Sequence, residues 1–178
     1  ARSNLLAFFS QWLQLPVVPD LGGLTVQFRG TITTTHLRQA AIAEVEAFVS
    51  DVAWNQQGNF SDLLLSPVTF ITNQQLAAVY NVPMPATNDG RYTFATPERG
   101  GLLTKAALLF DQADEHRPMH RGAFLRNQIT CDQLKLPDPD QVDPNLLVDP
   151  PFDPSRSTRQ SFEALPSSPV CAGCNNKL

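Results

Sequence analysis

The stretch Thr35–Trp54, THLRQAAIAEVEAFVSDVAW, decides the fold of the first half of this chain. Its apolar residues recur at intervals of four, four, three and four, which places their side chains on one face of an α-helix: Leu37, Ala41, Val45, Phe48 and Val52. Ala, Glu and Gln, which are strong helix formers, fill several of the other positions. Thr35 is a suitable N-cap, and Gly58 follows the end of the pattern. The stretch therefore predicts a long helix with one face in the core.

Helical signals also flank this stretch. The apolar residues of Asn4–Leu15 share a helical stripe that ends at Pro16, because proline cannot continue a helix. Thr72, with Gln75 three residues later, has the pattern of a capping box for a further short helix. Arg91–Phe94 alternates in polarity and suits a strand. We therefore expect a mainly α-helical fold, a small helical array with a minor β component.

The carboxyl-terminal half of the sequence is less regular. Arg121–Cys131 suits another helix, and prolines dominate from Leu136 onward. Each proline lacks a backbone donor and fixes φ, which favours an extended or looping strap over a sheet. We expect two modules: a helical module at residues 1–86, and a second module at residues 87–178 with short helices, this long proline-rich irregular strap and a terminal C-x-x-C.

The composition narrows the class of protein. The chain has 178 residues, of which 42% are hydrophobic and 17% charged, and its net charge is −4. Because Lys and Arg form no cluster, we expect no nucleic-acid binding. No apolar run approaches the roughly 20 residues that a transmembrane helix needs, so we expect no transmembrane span. The helix-like pattern starts at Asn4, which predicts a mature product or a piece of a longer polypeptide rather than a signal peptide.

The sequence lacks the patterns that are typical of common catalytic and metal sites. It contains no nucleophile elbow, and Gly100-Gly101 lacks the lysine that a phosphate-binding loop requires. The acids Asp111, Asp114 and Glu115 form a cluster, but the glycine-centred series of an EF-hand is absent. We therefore expect no metal site, and the residues favour a protein that is not an enzyme.

Several phrases of the sequence occur in an order and spacing typical of one family. They are Phe8–Leu15, Asp62–Tyr80, Arg99–Thr104, Arg117–Pro118, His120–Gly122 and, after the proline-rich strap, Cys171–Cys174. Together they resemble the paired domains of unknown function of large, planctomycete-type cytochrome-c-like exported bacterial proteins. The resemblance covers nearly the whole chain. It implies a protein located in the periplasm, at the cell surface or outside the cell.

The same resemblance implies a closing C-x-x-C-H motif, in which two thiolates attach haem and the histidine binds iron. Here Asn175 takes the position of that histidine, and a carboxamide is a poor iron ligand beside an imidazole. We therefore expect no cofactor, with haem c attached through Cys171 and Cys174 as the alternative. Under that alternative the candidate axial ligands are His116, Met119 and His120.

The cysteines have a second interpretation as a disulfide staple. The chain contains three, Cys131, Cys171 and Cys174, so at least one thiol stays outside any internal bridge. A bridge from Cys131 to either of the others closes a loop of about forty residues, which is worth roughly 3–4 kcal/mol in the chain-entropy model. A bridge between Cys171 and Cys174 is also open.

These inferences lead to two functional hypotheses. The first is a non-catalytic structural or interaction module of an exported or cell-surface bacterial protein assembly, stapled by a disulfide. Its expected partners are other protein subunits or the remainder of a longer polypeptide. The alternative is a c-type haem protein that transfers electrons.

Overall fold

The computed structural model of the protein describes residues 1–18, 35–110, 118–132, 153, 155–157 and 160. For residues 35, 36, 97 and 118–120 it describes the backbone alone. By its contacts the chain divides into two compact units, Ala1–Glu115 and His116–Leu178. The module boundary expected after residue 86 stays a prediction.

The described part of the chain is mainly helical, as the sequence predicts. The helices are α1 (Arg2–Trp12), α2 (Thr35–Ser50), α3 (Phe60–Leu65), α4 (Gln74–Tyr80) and α5 (Ala106–Leu109) in the first unit, and α6 (Pro118–Phe124) in the second. Wider π turns extend α2 and α6 over Asp51–Asn55 and Leu125–Ile129. Short 3₁₀ turns lie at Leu15–Val17, Pro97–Arg99 and Leu102–Thr104. Among the described residues, no helix is both long and apolar enough to cross a bilayer.

Helix α2 is the centre of the first unit. The five apolar residues that predict it are all buried, which confirms the predicted core face. The helix packs against α1, α4, α5 and the first strand. Arg38 anchors the segment after α1 to α2, because its Nε donates to the Val18 carbonyl at 2.6 Å.

Two asparagines start the short helices that follow α2. Asn59 caps α3 in a reciprocal capping box with Asp62. Asn73 caps α4, and its side-chain oxygen accepts the Leu76 N–H at 2.8 Å. The sequence-based choice of Thr72 as this cap is wrong by one residue. The N-cap is the residue directly before the first helical residue, and because α4 begins at Gln74 that residue is Asn73, whose side chain accepts the N–H of the third helical residue, Leu76.

The first unit also contains a small antiparallel sheet of two strands. Strand β1 (Val68–Phe70) pairs with β2 (Arg91–Thr93), and Thr69 lies opposite Tyr92. The strand predicted from Arg91 is confirmed for β2. Gly90, with φ +74°, precedes β2, and a Cβ there would lie 2.5 Å from the Ile71 carbonyl oxygen. Glycine is therefore the residue that allows this close approach.

A second glycine turns the chain from β2 towards α5. Gly101 has φ +75°, and its N–H donates to the Ser66 carbonyl at 2.8 Å. A Cβ at this position would lie 1.8 Å from the Leu64 carbonyl oxygen. The turn that leads to Lys105 and α5 thus depends on a residue without a side chain.

The described residues confirm a mainly α-helical fold with a minor β component. The predicted strap from Leu136 lies outside the described residues, apart from Asp153, residues 155–157 and Gln160.

Candidate functional site

The most unusual chemistry in the described part of the chain is a pair of opposite charges inside the core. Glu44, in the middle of α2, is 1% exposed, and Lys105, directly before α5, is 0% exposed. Acids and lysines are almost never buried this completely unless they are paired. The two side chains therefore need partners within the protein.

Glu44 receives its hydrogen bonds on one oxygen. The hydroxyl of Tyr80 donates to Glu44 Oε1 at 2.6 Å, and the hydroxyl of Thr69 donates to the same oxygen. The Tyr80 oxygen also accepts the Ala106 N–H at 2.7 Å, so its own proton is directed at the carboxylate. Glu44 Oε2 is buried and has no hydrogen-bond partner. Both hydroxyls thus donate to the same oxygen, and the Ala106 backbone also acts on the carboxylate and opposes the rise in its pKa that burial causes.

Lys105 is held by a carbonyl and an aromatic ring. Its Nζ donates to the Val68 carbonyl of β1 at 2.8 Å and lies 4.2 Å from the centre of the Phe48 ring. A cation over an aromatic face is attracted by the ring quadrupole, more strongly where water is excluded. Within the described residues no ion pair shorter than 4.0 Å joins Lys105 to Glu44. The two charges interact through the electric field of a dry interior rather than by direct contact.

Burial dominates the titration of this cluster. It raises the pKa of Glu44 above the usual 4.5, and the charge of Lys105 is the largest opposing influence. Burial also lowers the pKa of Lys105 to about 8, and the charge of Glu44 opposes that shift. The pKa of Tyr80 is raised, first by burial and then by Glu44, so its hydroxyl remains a donor. We name these four side chains, Glu44, Thr69, Tyr80 and Lys105, the buried cluster.

A second charged group lies at the end of α2. Asp51 Oδ1 accepts from Asn55 at 2.9 Å, and Oδ2 accepts from Gln56 at 2.5 Å and from Arg91 of β2 at 2.6 Å. Burial alone would raise the pKa of Asp51, but these hydrogen bonds and the charge of Arg91 together lower it. Arg91 also lies over the Phe70 ring at 5.7 Å. We name Asp51, Asn55, Gln56 and Arg91 the rim cluster, because the Arg91 side chain is 37% exposed.

Neither cluster is arranged to bind a substrate. The acid and base of the buried cluster are closed off from solvent, and a general acid or base must come within hydrogen-bond reach of the group it protonates or deprotonates. In the rim cluster, Asn55, Gln56 and Arg91 all donate to the Asp51 carboxylate, which is the pattern of a structural ion pair. Over the described ranges, no group of three or more His, Cys, Asp or Glu side chains is placed to hold a metal ion.

The structure describes few of the site residues expected from the sequence. Cys131 is an exposed free thiol with φ +56°. Met119 and His120 lie in α6, where the backbone alone is described. The other expected positions lie outside the described residues: His116, Cys171 and Cys174. The disulfide and the haem site therefore both stay predictions.

Sequence reasoning missed the buried cluster, although a signal existed. Glu44 follows Ala41 by three positions and precedes Phe48 by four, so it stands on the apolar face of α2. Lys105 interrupts the apolar run from Leu102 to Phe110. A single charge on an apolar face, at each of two places, is the pattern that indicates a buried pair.

Comparison with known families gives two matches in tandem. Residues 1–82 match PSD4, described as a protein of unknown function (DUF1592). Residues 99–178 match PSCyt3, described as a protein of unknown function (DUF1588). No curated protein and no solved structure matched significantly.

Proposed function

Because the chain carries these paired domains of unknown function, we propose that it is a non-catalytic structural or interaction module of an exported or cell-surface protein assembly. Its partners under this proposal are other subunits or the remainder of a longer polypeptide. The two family matches carry no function, so both the structural role and the location outside the cytoplasm are part of the proposal.

The observation that carries the proposal is the closure of the buried cluster. The groups best suited to proton transfer, Glu44 and Lys105, are used to join α2 to β1, α4 and α5. In an enzyme, a reactive lysine or carboxylate lines a cleft that the substrate can enter. Glu44 and Lys105 instead contact residues of neighbouring helices and strands inside the core. This use of charge supports a scaffold role.

Exposed apolar side chains support an interaction role. Among the residues of the first unit that the structure describes, four large apolar ones are more than half exposed, and Leu65 is the most exposed of them at 74%. The other three are Phe8, Val17 and Phe60. Burial of such side chains against a partner surface would remove apolar area from water, which favours association.

The terminal cysteines belong to this proposal as a staple. Cys131 has an exposed thiol, so it is accessible to a second cysteine. A bridge from Cys131 to Cys171 or Cys174 would restrain the proline-rich segment, which has few backbone donors of its own. The competing function is electron transfer by haem c attached through Cys171 and Cys174.

An absorption spectrum and an intact-protein mass of the natively purified protein separate the two functions. The proposal predicts no Soret band and a mass lower by two hydrogen atoms than the reduced chain. A Cys131→Ser variant distinguishes the bridges, because it abolishes the mass decrease only if Cys131 takes part. A Soret band with a mass greater by one haem would establish the alternative.

A further inference from the structure

We propose that the first stretch of the PSCyt3 match, residues 99–110, is an integral part of the core of the PSD4 match, and that Lys105 is the internal counter-ion of Glu44. On this view the paired domains share one cooperative folding unit. The inference rests on the position of the two matches and not on the proposed function, so either can fail alone.

The buried cluster is divided between the two matched ranges. Glu44, Thr69 and Tyr80 lie within residues 1–82, and Lys105 lies within residues 99–178. The carboxylate and both hydroxyls that donate to it therefore come from one family domain, and the cation comes from the other.

Hydrogen bonds in which the backbone takes part cross the same division. The Ala106 N–H donates to the Tyr80 hydroxyl at 2.7 Å, and Lys105 Nζ donates to the Val68 carbonyl at 2.8 Å. Nearby, the Gly101 N–H donates to the Ser66 carbonyl at 2.8 Å. Removal of residues 99–110 would leave each of these polar groups without its partner, and unpaired buried polar groups are costly.

The apolar side chains of this stretch are part of the same core. Leu102, Ala106 and Ala107 are all at most 3% exposed, and α5 packs on α2. The connecting residues add to the junction, because β2 pairs with β1 and the Phe94 N–H donates to the Pro67 carbonyl at 3.0 Å. The first compact unit accordingly runs to Glu115 rather than ending with the PSD4 match at residue 82.

The charge of Glu44 explains why the residue at position 105 has to be a cation. A buried carboxylate that loses its cation must either remain an uncompensated charge or take up a proton, and both changes destabilise the fold. Because Glu44 lies in the middle of α2, this cost falls on the helix that contacts most of the first unit. The PSD4 match therefore requires a cation at the position of Lys105.

The shared core is tested on the full chain after a single proteolytic cleavage between the two matched ranges. A protease recognition sequence is inserted between Pro85 and Ala86, in a loop whose residues are mostly exposed, and the purified protein is cleaved there. We expect the two halves to stay associated in size-exclusion chromatography under native conditions. Separation of the halves on cleavage would overturn the inference.

Two variants of the cut chain test the role of Lys105. Lys105→Met should weaken the association of the halves by more than about 100-fold, the loss expected on removing one partner of a buried pair. The control is Arg156→Met, which removes the same charge from an exposed ion pair with Asp153. Equal affinity in both variants would overturn the counter-ion role.

Hydrogen exchange decides the matter if the Lys105→Met chain does not fold. In the uncut parent, the amides of α2 and of Ala106–Leu109 should exchange with the same free energy of opening and the same dependence on denaturant, since they open together. If Ala106–Leu109 exchanges at lower denaturant while α2 stays protected, the two domains do not share a core.

Discussion

The buried cluster and the rim cluster each contain a carboxylate and a cation, but the pKa of the carboxylate is raised in the first and lowered in the second. In each, an acid from α2 or its π turn meets a cation that lies beyond the exposed loop after α4. Asp51 has a direct ion pair at 2.6 Å and acceptor contacts on both oxygens, and its pKa is lowered. Glu44 has no such contact with Lys105 and one unpaired oxygen, and its pKa is raised.

The difference shows that the direction of a carboxylate's pKa shift depends on its burial and on its direct hydrogen bonds and ion pairs. The presence of an opposite charge nearby is not sufficient to lower it. Water reaches Arg91 but not Asp51, so the rim pair loses solvation mainly at the acid, where a direct ion pair and hydrogen bonds from two side-chain amides replace it. Both side chains of the buried pair are closed off from bulk solvent, and no ion pair within 4.0 Å joins them. We expect the rim cluster to add modest stability, and the buried cluster to be tolerated only while Glu44 and Lys105 are both present to offset each other's burial.

The largest loss of stability should come from a substitution in the turn at Gly101, which leads to Lys105 and follows Arg91 in the chain. Gly101→Ala places a Cβ against the Leu64 carbonyl and requires φ +75° of a residue that disfavours it, so we expect a loss of about 4 kcal/mol in the free energy of unfolding. Denaturant unfolding measures it. The control is Gly100→Ala, because Gly100 lacks a positive φ, and its cost should stay below about 1 kcal/mol. Equal costs for the two would contradict the role of this turn.

A substitution in the rim cluster should reduce the free energy of unfolding by a smaller amount. Asp51→Asn keeps the size of the side chain but removes the charge that three donors share, and we expect a loss of about 2 kcal/mol near neutral pH. The folded-state pKa of Asp51 is lowered, so its stabilisation is present above the usual 3.8 and is lost as the pH falls through the folded value. The gap between parent and variant should therefore shrink in acid. A gap that is the same at pH 7 and in strong acid would show that the charge is irrelevant.

The pH dependence should separate the buried cluster from the rim cluster. The folded pKa of Lys105, about 8, lies below its usual 10.5, so between these values the unfolded chain binds more protons. Stability should then rise with pH, by at most about 1.4 kcal/mol per pH unit for one proton. The raised pKa of Glu44 has the reverse consequence, because stability should fall as the pH rises from 4.5 towards its folded value.

The reference for this profile is the double variant Glu44→Gln, Lys105→Met, which has neither titrating group. Subtraction of its unfolding free energy at each pH removes the contribution of other residues. A difference that falls, or stays flat, between pH 8 and 10 would contradict the burial of a charged Lys105.

The fold could be predicted from the sequence wherever a local rule decided it. The apolar spacing of α2 identified its core face, and alternation identified β2. The start of α4 was misplaced because Thr72 and Asn73 are both good caps, and the helix geometry selects between them.

The candidate site was not predicted, because it depends on contacts between distant positions. Glu44 was treated as one of the helix formers that fill α2, which is the usual role of a glutamate. Its burial follows from the packing of β1, α4 and α5 around it, and no local pattern specifies that packing. The partner of a buried charge is fixed by the tertiary structure.

The most direct test of the account is a double-mutant cycle on Glu44 and Lys105, measured by equilibrium unfolding near pH 7. Lys105→Met and Glu44→Gln should each cost about 3 kcal/mol, because each leaves a buried group without its partner. The double variant should cost much less than the sum, with a coupling of about 2 kcal/mol or more. Costs that add to within about 0.5 kcal/mol would contradict the claim that these two charges support each other in the core.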